Sequence, residues 1–155
     1  MIGSIRNMFD NEKVLGEKLN GVEYIDRSAV YGIVTNNEGN VAVIKTLAGY
    51  FLPGGGIENE ETHKECLDRE FVEETGYEII IEKYVGKSSL YHLSKTNQHI
   101  HGIGHFYMVS LSCMTNKKSE DDHELVWIEK AECIKNLFLE HQAWAVSKAL
   151  NVGLR

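Results

Sequence analysis

Proline occurs once in 155 residues, at Pro53, and cysteine only three times. A chain so poor in proline is not an extended proline-rich spacer. Cys66, Cys113 and Cys133 are far apart and odd in number, and no CxxC pair occurs. This excludes a disulfide framework and a paired-thiolate zinc site. Reduced, structural thiols are expected, and with them a cytoplasmic location. No run is apolar enough to span a bilayer. The N-terminal MIGSIRNMF lacks the charged, apolar, then small-residue layout of a secretion leader, so no membrane partner is expected. Basic residues are also short: 16 Lys and Arg stand against 23 Asp and Glu, for a formal net charge of -7. That argues against a nucleic-acid polymer or an anionic membrane as partner. It leaves room for a small anionic ligand, because a bound cation can reverse the sign of a local site.

The rest has the balance of an ordinary globular protein, with 43% hydrophobic and 25% charged residues. No repeat, low-complexity segment or linker divides it, so residues 1–155 are expected to form one domain. Residues 1–20 are weakly patterned; a short helix or irregular lead-in of no assigned role is expected there. Residues 23–35 read as a strand, Asn36 to Asn40 as a turn and Val41 to Lys45 as the returning strand. Tyr50 to Leu52 is extended up to Pro53, and three glycines follow. A helix is predicted from Thr62 to Thr75, opened by a Thr62–Glu65 capping box and closed by Gly76. Ile79–Tyr84, Ser88–Leu93, Ile100–Leu111 and Leu125–Ile128 read as strands. Met114–Asp122 reads as a polar loop and residues 130–150 as one terminal helix. The order implies an α/β fold with a mixed sheet between helices.

Gly55 to Tyr77 reads GGIENEETHKECLDREFVEETGY. On a helix, Glu70, Glu73 and Glu74 are three and four positions apart and share one face, where like charges repel. Arg69, four positions before Glu73, offsets part of this. A divalent cation would offset more, and carboxylate oxygens are the ligands that Mg²⁺ and Mn²⁺ prefer. Gly54, Gly55 and Gly56 stand just before the helix, where backbone can turn sharply and approach a ligand, and amides near a helix N-terminus favour phosphate. Taken alone, the three glutamates are most simply a solvated acidic face and the glycines a loop.

Together they match G-x5-E-x7-R-E-U-x-E-E-x-G-U, U being a bulky apolar residue, through Gly55, Glu61, Arg69, Glu70, Phe71, Glu73, Glu74, Gly76 and Tyr77. With residue types at roughly 7% each, seven fixed positions coincide by chance on the order of 10⁻⁸ per starting point. This pattern resembles the Nudix box, and the chain is identified by it as a member of the Nudix hydrolase family. Tyr77 is a mild departure, since an aliphatic residue is more usual there. The lead-in Phe51-Leu52-Pro53-Gly54 and the closing Glu124, Trp127 and Gln142-Ala143-Trp144-Ala145 extend the resemblance over about residues 25–150.

The resemblance implies an α/β/α sandwich and Mg²⁺- or Mn²⁺-dependent hydrolysis of a pyrophosphate bond in a nucleoside diphosphate linked to another moiety. That covers a nucleoside triphosphate, a dinucleoside polyphosphate or a nucleotide sugar. By position it implies metal ligands at Glu70, Glu73, Glu74 and the Gly54 carbonyl, and catalytic roles for Arg69, Glu70 and Glu73. Glu70 would ligate the metal or belong to the base that activates water, and Arg69 would orient the carboxylates. Gly55 and Gly56 are expected on the substrate and Glu61 in support of the loop. Some relatives take an extra base or ligand from a later loop; here Glu120 is the first candidate, before Asp121, Asp122 and Glu124. A homodimer is left open. The competing readings are a non-catalytic nucleotide-sensing domain of the same fold and an acidic Ca²⁺-binding or interaction surface without chemistry.

Outside the box, His99, His101 and His105 share one parity of a strand; lining a pocket or facing solvent is the simpler reading than zinc. Tyr91 and Arg27 read as an ordinary strand residue and a surface residue, and Trp127 and Trp144 as core. The proline that follows the box in many ADP-ribose hydrolases is absent, as is the SQPWPFPxS segment of NADH hydrolases.

Overall fold

The computed structural model describes residues 11–152. The chain runs β1 (Glu12–Gly16), β2 (Ile25–Ile33), β3 (Val41–Thr46), β4 (Gly49–Phe51), β5 (Gly54–Gly56), α1 (His63–Thr75), β6 (Tyr77–Leu93), β7 (His99–Met114), β8 (Glu124–Ile128), α2 (Lys130–Asn136) and α3 (Glu140–Leu150). One sheet has the strand order β1-β6-β7-β2-β5 and a second β4-β3-β8. The β1–β6 and β2–β7 pairs are parallel and the others antiparallel, so the five-stranded sheet is mixed.

Strand alternation puts a helix layer on each face. From β2, Val30 joins Cys66, Leu67 and Phe71 of α1 in one buried cluster. Ile33, one parity away, joins Cys133, Ala145 and Val146 of α2 and α3 in the other. The β3 run Val41-Ala42-Val43-Ile44 is apolar throughout because both of its faces are covered. This is the expected α/β/α sandwich. α1 sits close to the sheet because Gly32 has no side chain: a Cβ there would lie 2.6 Å from the Phe71 ring.

The helix that carries the box forms where local rules place it. The Thr62 hydroxyl accepts from the Glu65 amide at 3.1 Å, and the Glu65 carboxylate accepts from the Thr62 amide at 2.9 Å. Gly76 ends the helix at φ 80°, where its amide donates to Val72 O.

Four expectations differ in detail. Of the lead-in, residues 1–10 lie outside the described residues, while residues 12–16 form β1 rather than a helix or irregular segment. The two strands expected at 79–84 and 88–93 are one, β6, whose register shifts near Lys83 and Gly86 break the alternation that marks a continuous strand. The terminal helix is two. The chain leaves α2 at Leu137, and the Phe138 amide donates to Tyr50 O at 2.9 Å, so the break is set by pairing with β4 and not by glycine or proline. The glycine triplet is a short edge strand. It pairs antiparallel with Ala29 to Tyr31, and flanking bonds from Gly32 N to Pro53 O and from Ile57 N to Ser28 O hold it there.

Candidate active site

α1 delivers Arg69, Glu70, Glu73 and Glu74 beside β5. The Arg69 guanidinium is the hub. Its Nε and Nη2 donate to Glu61 Oε2 and Oε1 at 2.6 and 2.9 Å, a two-pronged pairing that suits a planar fork. Its Nη1 lies 2.9 Å from Glu70 Oε1, 3.2 Å from Glu73 Oε2 and 3.1 Å from Glu58 Oε2, and Nη2 donates to Gly56 O at 3.0 Å. One cation thus faces four carboxylates. The Arg69 hydrogen bonds hold Glu61 down to about 2, and the Glu61 pairing pushes Arg69 up in turn. Glu70 moves the other way: burial raises its pKa against the pull of Arg69.

Glu74 turns away from this hub. It is buried, its Oε1 accepts from the Gly54 amide at 2.8 Å, and its Oε2 lies 2.9 Å from His123 Nδ1. Burial raises its pKa to about 7 even though the Gly54 amide and His123 both favour the charged form. Gly54 has φ 140°, and a Cβ there would sit 2.1 Å from Val30 O, so only glycine brings the amide onto Glu74. A Cβ at Gly55 would lie 2.6 Å from the Glu70 carboxylate. The glycines therefore leave room for the glutamates of α1 to meet the β5 backbone.

The loop after β7 docks on the end of α1. Ser119 and Glu120 amides donate to Glu73 O at 2.9 and 3.0 Å, and the Thr115 amide to Gly76 O at 2.7 Å. This brings Glu120, Asp122 and His123 together, with a ligand atom of each within 4.8 Å of the others. Asp121 is not part of this group, and Glu124 lies on β8 opposite Lys45. Among the described residues it is the one set of three metal-ligating side chains so close together. Glu70, Glu73 and Glu74 do not converge that tightly, being divided between Arg69 and the Gly54–His123 pair. His123 did not stand out in the sequence, because its contact with Glu74 spans 49 positions and no spacing rule reports it.

The donor set still fits a hard divalent cation. Its side chains are carboxylates, the ligand type Mg²⁺ and Mn²⁺ prefer. Glu70 is half-buried and Glu74 buried, and burial raises the pKa of both, so a cation at their oxygens would replace lost hydration and favour their charged forms.

Two cavities open beside the site. One of about 350 Å³ is bordered by Gly54, Glu74, His123, Phe51 and Thr46. The other, of about 440 Å³, is bordered by Gly56, Arg27, Gln98, His92 and His141. Tyr31 and Leu139 border both. Arg27, read from sequence as a surface residue, is exposed but faces this second space. Burial lowers the pKa of His141 to about 4, so its ring is neutral at pH 7.

The strand histidines do not gather. His101 pairs with Asp26 at 2.9 Å and stacks on Tyr91, while His105 meets His63 at a ring separation of 4.3 Å. Trp144 packs against the core, but Trp127, expected there, is 37% exposed on β8.

Residues 26–149 match the NUDIX domain, and the chain belongs to the Nudix family. Its fold is similar to a Nudix hydrolase from Nitrosomonas europaea, with 12% identity, a TM-score of 0.69 and 82% of this chain and 90% of that one covered. It is also similar to a MutT protein from Methanosarcina mazei Go1, at 18% identity, TM-score 0.62 and coverage of 84% and 97%. A UDP-X diphosphatase is similar at 15% identity, TM-score 0.60 and coverage of 86% and 67%. No curated protein matches the chain in sequence. No helix among the described residues is long and apolar enough to cross a membrane.

Proposed function

We propose that this protein hydrolyses a pyrophosphate bond in a nucleoside diphosphate linked to a second moiety, with Mg²⁺ or Mn²⁺ as cofactor. The observation that carries this reading is the charged part of the box, Arg69, Glu70, Glu73 and Glu74, set on α1 against the glycine strand and beside two cavities. In this reading Glu70, Glu73, Glu74 and the Gly54 carbonyl hold the cation. When bound, the ion screens phosphate charge and acidifies water. Arg69 keeps Glu70 and Glu73 at fixed separation, and Glu61 anchors Arg69. Glu70 is the carboxylate assigned to take a proton from the attacking water, because Arg69 engages only its Oε1, whereas both oxygens of Glu74 are engaged by the Gly54 amide and His123. Glu120 is a second candidate for that proton, carried on the docked loop. Gly56 and Arg27 border the space that receives the remainder of the nucleotide.

The fold does not select the substrate. A panel of nucleoside triphosphates, dinucleoside polyphosphates and nucleotide sugars, assayed with Mg²⁺ and with chelator, tests the proposal. Metal-dependent release of a nucleotide and a phosphate-bearing product from at least one class is expected. Tight nucleotide binding without products would favour a sensing domain instead.

A further inference from the structure

His123 lies outside the box, on the loop that docks against the end of α1, yet it meets the most buried acid of the site. The Glu74 side chain is 8% exposed. Both of its oxygens are engaged, Oε1 by the Gly54 amide and Oε2 by His123 Nδ1. A carboxylate gripped at both oxygens has one orientation. Its remaining lone pairs then point where the backbone on one side and the imidazole on the other leave space.

We propose that His123 is a positioning residue that presets Glu74 for a divalent cation. The inference rests on the reading of Glu74 as a metal ligand. The loop is suited to the task because its position is fixed independently of His123, by the Ser119 and Glu120 amides on Glu73 O and the Thr115 amide on Gly76 O. His123 is thereby tied to the same helix that carries its target. The donor that matters is Nδ1–H, which hangs from Cγ. The side-chain amide of asparagine hangs its nitrogen from the same atom, so His123→Asn can restore the bond and His123→Ala cannot. Partners that orient a ligating side chain typically contribute about 10–100-fold to metal affinity.

The test titrates the full chain with Mn²⁺ alone and reads free ion by electron paramagnetic resonance. His123→Ala should bind about 10–100-fold more weakly than wild type, with His123→Asn recovering most of the loss. Lys117→Ala, an exposed change in the same loop, should stay within about twofold of wild type, inside ordinary surface effects. The spin-echo spectrum of bound Mn²⁺ should show no coordinated imidazole nitrogen. Glu74→Gln separates the two levels. If it binds Mn²⁺ as wild type does, the reading of Glu74 as a ligand fails and takes this inference with it. If Glu74→Gln is weakened while His123→Ala is not, the inference alone fails. It also fails if asparagine is no better than alanine, or if a directly bound nitrogen appears and makes His123 a ligand itself.

Discussion

Glu70→Gln is expected to lower turnover by about two to four orders of magnitude, the usual range for a lost proton acceptor, while the fold survives. Glutamine keeps the shape of the side chain and an oxygen for Arg69 Nη1, now 2.9 Å from Glu70 Oε1. What it loses is the negative charge and the ability to take a proton. Stability should change little or rise. Burial raises the Glu70 pKa despite Arg69, and the neighbouring Glu73 charge acts in the same direction. In the folded protein without metal, that charge is a burden rather than a support. Turnover and the thermal midpoint, both measured on the same preparation, check this. A variant that kept more than a tenth of wild-type turnover would remove Glu70 from the chemistry.

Arg69→Ala should fail in a different way, losing activity and stability together. The guanidinium contacts Glu58, Glu61, Glu70 and Glu73 and the Gly56 carbonyl, with 24% of its side chain exposed. Its removal leaves four carboxylates to repel one another and frees the loop that Glu61 ties down. The expected cost is about 1–2 kcal/mol, the scale of lost hydrogen bonds to charged groups in a partly exposed network where solvent screens the charges. Arg69→Lys should recover little, because an ammonium cannot make the two-pronged contact with Glu61. Urea midpoints of the two variants decide this. Equal stability of Arg69→Lys and wild type would show that point charge, not the fork, is what the network needs.

These two residues also mark what the sequence makes legible. α1, its capping box and its glycine cap follow from side chains within a few positions of one another, so the helix and its acidic face are readable locally. The unbroken apolar run of β3 marks a strand covered on both faces, and the box spacing identifies the family. Features set across the chain are hidden. The break between α2 and α3 depends on Tyr50 accepting from the Phe138 amide. β6 reads as two strands because its bulges upset the alternation. The glycine triplet becomes a strand only because β2 lies beside it. The partners of the acids are likewise tertiary: helical spacing puts Glu70, Glu73 and Glu74 on one face, but it does not report that Arg69 holds the first two while the Gly54 amide and His123 hold the third.

The central claim is that these three acids close on one divalent ion. The most direct measurement is anomalous diffraction from crystals grown in Mn²⁺ with a non-hydrolysable nucleotide. The account predicts a manganese peak with oxygens of Glu70, Glu73 and Glu74 and the Gly54 carbonyl at about 2 Å, the distance hard octahedral ions demand. Manganese bound elsewhere, with no oxygen of Glu70, Glu73 or Glu74 among its ligands, would contradict it.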